Sequence, residues 1–411
     1  MNRSLQRGAG CGIINPMSAF ISIRGGTAVR PGVARRVAWA STLAVFALLV
    51  ASACQRKTQQ TVESVVKAGN RAAVIRVAAQ NAQLFGTVYE ITQRMLNRTE
   101  NQLDAHQPGS DIAQLNRIGN SARIQVSYET FRLLDLAQQY SVLSGGAFDC
   151  SVAPLSYLWG FEGGPGPTNI PSADAIQAAL LGVGARNVSL FDNTSAALTH
   201  TQARISVDSL IDAYAADMSL VEARDRTVAN MSIQIGNNMR AIGAPNSGTA
   251  WEWALPDPFA TNATMGTISL NTGGLSIVLL RDKTVQIGGR IYGHVINPHT
   301  GMPVTETAMA VVAGPSATKS CALAQALIVT GAEDAATILP RFAKCSALII
   351  PDKQPPEIWM TRDFAPHVKL NGAVQQSVHF IEIGLAAQPV KDDDAANATN
   401  AIPASTPPAG K

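Results

Sequence analysis

The sequence predicts a protein of the α+β class, and three observations support this prediction. Hydrophobic residues make up 46% of the 411 positions, which is enough to bury a sizeable core. A chain of this length allows two domains, or one large domain with long ends. Apolar runs with the spacing of strands and of helices follow one another in a mixed order, without strict β–α–β alternation. The mixed order favours an α+β fold.

Short apolar runs predict the strands, which are expected at residues 74–79, 85–91, 231–235, 267–270, 308–313 and 346–350. The last run is expected to be buried. Apolar residues at helical spacing predict helices at residues 92–104, 126–145 and 207–227.

The helix at 126–145 has the clearest ends. Ser127 can act as its N-cap, and Gly145 and Gly146 end it. Two more helical stretches are predicted on either side of Gly331. These boundaries follow from local chemistry, since caps and glycines act within a turn or two.

Residues 1–54 read as an export segment. A pair of arginines precedes the apolar run 37–54, which is shorter than the ~20 apolar residues of a membrane span. Three small residues followed by Cys54 resemble a bacterial lipobox. We therefore expect a lipid anchor at Cys54, on the periplasmic side of the inner membrane. The alternative is an ordinary signal peptide with a chance cysteine.

The regions that flank the predicted domain are polar. Residues 55–74 are expected to form a tether, and residues 388–411, rich in Ala, Pro, Asp and Asn, a disordered tail. The folded domain is accordingly predicted at 75–387.

Charge and cysteine content exclude two classes of site. The formal net charge is only +3, and no window has a dense Lys/Arg cluster with aromatics, which argues against a nucleic-acid surface. Beyond the first 54 residues the cysteines are Cys150, Cys321 and Cys345. Three such cysteines allow one disulfide at most, and their spacing does not suggest a zinc site.

Separated segments carry candidate functional residues, and each has an ordinary structural alternative. Gly145 and Gly146 would let the backbone approach a ligand before Asp149, but a plain helix–turn junction has the same residues. Acidic residues near the start of the helix at 207–227 could act in a site or only as caps. The histidines of "GHVINPHTGMPV" (293–304) could be catalytic or could face solvent in a proline-rich turn.

Taken together, the order and spacing of these segments resemble the FAD:protein FMN transferase family, the ApbE-type lipoproteins, from residue 85 to about 380. The most specific matches are "GGAFD" (145–149) and the H-x-I-x-P-x-T-G-x-P pattern (294–303). The resemblance implies an ApbE-like mixed fold with FAD in a cleft.

The resemblance also implies a reaction. Such an enzyme breaks FAD at its pyrophosphate and transfers FMN to a Thr or Ser hydroxyl of an exported flavoprotein subunit, releasing AMP. Magnesium would compensate the phosphate charge, because phosphoryl transfer depends on positioning and electrostatics. The implied cofactors are FAD and Mg²⁺, and the implied partner is the acceptor flavoprotein.

Matching motif positions imply roles for individual residues. His294 takes the position of a candidate general base for the acceptor hydroxyl. The implied FAD-binding residues are Phe85, Ala147, Phe148, Asp149, Asp208, Asp212 and Ile296. The implied metal-binding residues are Ser209, Cys321 and Gln325. His299 occupies a variable position and is expected at the surface.

The chain departs from the family pattern where charge matters most. Cys321 stands at the position of a metal-binding Asp, Gln325 near that of a Thr, and Asp212 at that of a Lys. A thiol is a poor ligand for Mg²⁺, which prefers hard oxygen atoms. These departures favour an alternative function, a non-catalytic periplasmic lipoprotein that binds flavin or a maturation partner. The retained His294 favours the transferase, and the ordered motifs argue against an unrelated solute-binding lipoprotein.

Overall fold

The computed structural model describes residues 60–79, 82–162, 166–246, 248–372 and 377–383, all within one compact unit, Thr58–Lys411. The helices are α1 (Ala82–Leu103), α2 (Asp111–Ile118), α3 (Tyr128–Leu143), α4 (Ala153–Leu158), α5 (Ala173–Leu180), α6 (Asp208–Asp225) and α7 (Ala317–Ile338). The predicted anchor at Cys54 and the predicted tail at 388–411 lie outside the described residues.

The strands divide into a large sheet and three small ones. They are β1 (Gln60–Ala68), β2 (Arg71–Ala79), β3 (Ile124–Gln125), β4 (Val188–Phe191), β5 (Ser195–Leu198), β6 (Met231–Ile235), β7 (Asn238–Ile242), β8 (Trp251–Pro256), β9 (Thr264–Leu270), β10 (Gly273–Leu279), β11 (Thr284–Ile287), β12 (Arg290–Gly293), β13 (Thr307–Gly314), β14 (Ser346–Pro351), β15 (Ile358–Met360), β16 (Val368–Leu370) and β17 (Val378–Phe380). The order in the large sheet is β1-β2-β6-β7-β10-β13-β14-β15-β17. Its neighbours are antiparallel except β15 and β17. The α+β prediction is confirmed.

The strand β13 lies near the middle of the large sheet and is buried on both faces. Alternate side chains of a strand point to opposite faces. Ala310 and Val312 belong to the core that contains α6 and α7, whereas Met309 and Val311 belong to the core under β8 and β9. The sheet therefore separates a helical layer from a small antiparallel sheet, β16-β9-β8.

The local predictions are largely confirmed. The Ser127 hydroxyl accepts a hydrogen bond from the Thr130 backbone N–H and caps α3, which ends before Gly145 and Gly146. Gly331 has φ +70° and ψ −174° and divides α7 into two helical segments. Glycine is favoured there, because other residues rarely adopt a positive φ.

Two predictions near the start of the fold are wrong. Residues 85–91 belong to α1 rather than to a strand: Val88, Ile91 and Met95 are buried along one face of this helix. The predicted tether at 55–74 contains all of β1 and the start of β2, which pair along their full length. As the edge strand, β1 exposes most of its polar side chains, so its sequence resembles that of a tether.

The cysteines beyond residue 54, namely Cys150, Cys321 and Cys345, are all buried. The sequence allowed one disulfide at most, and Cys150 and Cys321 do not form it with each other. The helix α7, with the turn after it, is long and apolar enough to cross a membrane. It packs instead against β10 and β13 as a core helix.

A buried carboxylate joins α6, α7 and β7. The Asp217 side chain, on α6, accepts hydrogen bonds from the backbone N–H groups of Ala317 (2.9 Å) and Thr318 (2.8 Å) and from the Thr318 hydroxyl (2.6 Å). Arg240 Nε, on β7, lies 2.9 Å from the same carboxylate. A negative charge is favourable at a helix N-terminus, so Asp217 caps α7 rather than its own helix.

We expect Asp217→Asn to lower the free energy of unfolding by about 3 kcal/mol, because it leaves the Arg240 charge buried without its counter-ion. Chemical denaturation measures the change. Asp225→Asn, at the exposed end of the same helix, is the matched control and should have little effect. Equal losses in both variants would contradict the role assigned to Asp217.

Candidate functional site

A cleft of about 590 Å³ opens beside α6, α7, β10 and the turn after β12. This volume lies within the ordinary range for ligand sites. The cleft brings together ten predicted site residues, namely Ala147, Phe148, Asp149, Asp208, Ser209, Asp212, His294, Ile296, Cys321 and Gln325. Phe85 is not among them: it lies on α1 and packs against the apolar cluster of β1, β2 and α6.

The turn after α3 forms one wall of the cleft. Gly145 (φ +65°) and Gly146 (φ +86°) adopt the left-handed backbone that leads into this turn. Asp149 is buried, and it accepts hydrogen bonds from the Ser151 N–H (2.8 Å), the Ser151 hydroxyl and the Ser141 hydroxyl (3.1 Å). The Asp149 carboxylate thus holds the turn in shape.

Trp159, the residue after α4, is not among the residues that line the cleft. Its indole N–H donates a hydrogen bond to the Gly301 carbonyl (2.8 Å), and its ring packs against Tyr292. The buried indole therefore ties the end of α4 to the proline-rich turn at 293–304.

The proline-rich turn is held mainly by its own backbone and Asn297. The Asn297 side-chain oxygen accepts from the His299 N–H (2.9 Å), and its backbone carbonyl accepts from the Gly301 N–H (2.9 Å). His299 is exposed, as predicted. Pro298 and Ile296 face the cleft together with His294.

His294 is the histidine that the turn presents to the cleft. Burial lowers its pKa from the usual 6.5, an effect that the nearby Asp282 carboxylate partly opposes. Its Nδ1 atom is buried and has no hydrogen-bond partner among the described residues. The imidazole is therefore neutral at pH 7 and can accept a proton.

Asp212 is paired with a cation that sequence analysis missed. The Arg71 guanidinium, at the start of β2, forms a hydrogen-bonded ion pair with the Asp212 carboxylate. Arg71 lies in the stretch predicted to be a tether, so no feature of its own sequence surroundings indicated a role. The pair neutralises the Asp212 carboxylate, which the resemblance predicts at the position of a lysine.

The three predicted metal-binding residues meet, but as a hydrogen-bonded cluster. The Cys321 thiol donates to the Ser209 carbonyl (3.0 Å), and the Gln325 side-chain amide donates to the Cys321 sulfur (3.4 Å). Burial raises the pKa of Cys321 to about 11, so the thiol keeps its proton at neutral pH. The Ser209 carbonyl already accepts the hydrogen bond of this thiol. A neutral thiol does not fit Mg²⁺, which binds hard oxygen ligands. The magnesium prediction at these residues is not supported by their chemistry.

Sequence analysis also missed polar groups in the walls of the cleft. The Ser276 hydroxyl, on β10, donates to the Asn238 side-chain oxygen (2.7 Å), and both residues are buried. The Lys283 ammonium donates to the Phe161 carbonyl. Ser276 is a polar residue within an otherwise apolar strand, and this pattern is a weak sequence signal that a residue lines a cleft.

The charged side chains that line the cleft are mostly acidic. Among the described lining residues, Lys283 carries the single positive charge at neutral pH. The carboxylates are Asp149, Glu162, Asp208, Asp212 and Asp282. With Asp212 neutralised by Arg71, the remaining excess of negative charge favours cations in the cleft.

Comparison with known proteins identifies relatives of this chain. Residues 71–349 match the ApbE family. The chain is 23% identical over 296 residues to the FAD:protein FMN transferase of Vibrio cholerae, which covers 71% of this chain and 87% of the relative. It is 27% identical over 280 residues to that of Treponema pallidum, covering 63% and 76%.

Solved structures show the same fold. The ApbE protein of Thermotoga maritima has a TM-score of 0.66 and 22% identity, covering 75% of this chain and 99% of the other. The apo form of the Pseudomonas stutzeri flavinyl transferase ApbE has a TM-score of 0.66 and 22% identity, covering 76% and 98%.

The double variant Cys321→Asp with Gln325→Thr should gain a response to Mg²⁺. It supplies oxygen ligands and a negative charge beside the Ser209 carbonyl, whereas the wild-type thiol cannot bind a hard cation. Thermal unfolding with and without Mg²⁺ measures the effect: we expect a rise in Tm for the variant alone.

The matched control is Cys321→Asn with Gln325→Thr, which has the same shape without the charge. If Mg²⁺ raises the Tm of the wild type as much as that of the Asp variant, the conclusion that the native residues do not fit Mg²⁺ is wrong.

Proposed function

Because the chain belongs to the ApbE family, we propose that it transfers FMN from FAD to a Thr or Ser hydroxyl of an exported flavoprotein and releases AMP. The observation that carries this proposal is the cleft, which gathers His294 and the turn after α3 from distant parts of the chain. The names of the relatives from Vibrio cholerae and Treponema pallidum support the same reaction.

In the proposed reaction the acceptor oxygen attacks the phosphorus of the FMN moiety. The new bond is a phosphoester to the acceptor, and the bond that breaks joins this phosphorus to the bridging oxygen of the pyrophosphate. AMP leaves with that oxygen and its electron pair. His294, neutral because its pKa is lowered, takes the proton of the hydroxyl as a general base.

Magnesium has no place in this scheme at Ser209, Cys321 and Gln325, because their donors do not fit it. Two other residues near the proposed FAD site, Arg71 and Lys283, act through the positive charges that they place there. Arg71 neutralises Asp212, so that this carboxylate repels the pyrophosphate less than an unpaired one would. Lys283 contributes a positive charge to the cleft wall.

We also propose that the protein acts at the periplasmic side of the inner membrane, anchored by a lipid on Cys54. The sequence pattern of the first 54 residues supports this location. An anchored enzyme would meet an acceptor subunit that is itself exported.

The second candidate function is flavin binding without catalysis. The observation that favours it is the protonated Cys321 thiol at the position of a metal-binding acid. In that case FAD would bind in the cleft, and no FMN would reach an acceptor.

A transfer assay distinguishes the two functions. The chain from residue 55, which includes all described elements, is incubated with FAD, Mg²⁺ and an acceptor domain that the Vibrio cholerae relative modifies. We expect covalent flavin fluorescence on the acceptor, with the relative as positive control. Bound FAD without transfer would support the second function, and no FAD binding would contradict both.

His294→Ala should lower the transfer rate by about 10²–10⁴-fold with little change in FAD affinity, since a general base contributes this much. For the wild type, the rate should fall on the acid side with a midpoint below 6.5, because the base is protonated below its lowered pKa. Rates measured against pH check both expectations. His299→Ala is the matched control on the same turn and should retain activity. A midpoint at or above 6.5, or equal losses in both variants, would contradict the role of His294.

A further inference from the structure

Three metal-ligating side chains meet at a junction of two cavities, and none of them belongs to the predicted metal-binding set of Ser209, Cys321 and Gln325. A second cavity, of about 720 Å³, shares Glu162 and Ser206 with the cleft. At this junction His106 Nε2 lies 3.1 Å from Glu162 Oε2 and 3.8 Å from Asp208 Oδ2. The segment before α2, the segment after α4 and the start of α6 supply one residue each, so the tertiary fold creates the cluster.

We propose that His106, Glu162 and Asp208 bind a divalent transition-metal ion. Their ligand atoms all lie within 4.8 Å of one another. Two ligands of a common ion at about 2.0–2.2 Å lie about 3–4 Å apart, so the observed separations need only small side-chain rotations. One imidazole nitrogen with two carboxylates suits Zn²⁺ or Mn²⁺, since these ions accept both kinds of donor.

A second observation concerns the Asp208 carboxylate. Its Oδ1 atom is buried and has no hydrogen-bond partner among the described residues. A buried polar atom without a partner is unfavourable, and a carboxylate oxygen more so. A bound cation would give the Asp208 carboxylate a partner of opposite charge. The ion pair between its Oδ2 atom and His106 leaves the Oδ1 atom without a partner.

The surroundings hold the ligands in place. The Asp104 carboxylate accepts a hydrogen bond from the His106 backbone N–H (2.8 Å) and fixes the backbone that carries the imidazole. The Lys283 ammonium binds the carbonyl of Phe161, the residue before Glu162. Interactions that orient metal ligands in this way raise affinity, because less freedom is lost on binding.

The charge of the neighbouring cleft favours the same conclusion. Glu162 and Asp208 carry two of its five carboxylates, and Lys283 is its one ammonium at neutral pH. An ion at this cluster would offset that excess. If FAD occupies the cleft, the ion would also reduce repulsion of its phosphates, a consequence that rests on the proposed function.

The test is metal binding by the chain from residue 55, stripped of metal and titrated separately with Zn²⁺ and Mn²⁺ by calorimetry. We expect one saturable site, weakened at least about tenfold in His106→Ala, Glu162→Gln and Asp208→Asn. His379→Ala, which removes an exposed histidine elsewhere, is the control and should leave the site unchanged. Circular dichroism confirms that each variant is folded.

Co²⁺ as a probe identifies the ligands by their spectrum. The proposal predicts visible bands of nitrogen and oxygen ligation without a thiolate charge-transfer band, because the cluster contains no cysteine. A thiolate band, the absence of saturable binding in the wild type, or unchanged affinity in all three cluster variants would overturn it. No FAD or acceptor takes part, so this outcome is independent of whether the protein transfers FMN.

Discussion

The cleft depends on the buried contact between Asp217 and the N-terminus of α7. The carboxylate binds two backbone N–H groups of α7 and the Arg240 guanidinium, and so fixes α6, α7 and β7 relative to one another. Asp208 and Ser209 on α6 can then face Cys321 on α7. A shift of either helix would separate these groups, since an N–H···O hydrogen bond needs a donor–acceptor distance of about 2.7–3.2 Å.

A close approach of backbone to backbone supports the same arrangement. A Cβ atom on Gly274, in β10, would lie 2.1 Å from the Ala317 nitrogen, closer than any side chain could be. The glycine lets the start of α7 lie directly on the strand, where Ser316 caps the helix through the Lys319 N–H (3.2 Å). The role of Gly274 is thus to allow this packing.

The substitutions at the family positions change the electrostatics of the cleft without leaving isolated buried charges. Asp212, which the resemblance predicts at the position of a lysine, is paired with Arg71, and Cys321, predicted at the position of an acid, keeps its proton. The ion pair and the protonated thiol each avoid an unpaired buried charge, which would be strongly unfavourable. The cleft therefore contains a paired carboxylate at Asp212 and an uncharged thiol at Cys321 beside His294.

The errors of the sequence interpretation have a common origin. The edge strand β1 looks like a tether because its polar side chains face solvent, and α1 begins with residues that also suit a strand. Both segments take their structure from a partner, namely β2 for β1 and the face of the large sheet for α1. Ser127 and Gly331 were predictable because a cap and a helix break act within a few residues.

The sequence by itself determined the α+β class, the limits of several helices and strands, and the set of motif residues that line the cleft. The tertiary structure decided which groups meet: Asp212 with Arg71, 141 positions away, and Asp217 with Ala317, 100 positions away. It also decided that Asp149 is buried and that Cys321 keeps its proton. The physical reason is that backbone preferences are local, whereas burial, ion pairing and pKa depend on neighbours that only the folded chain brings into contact.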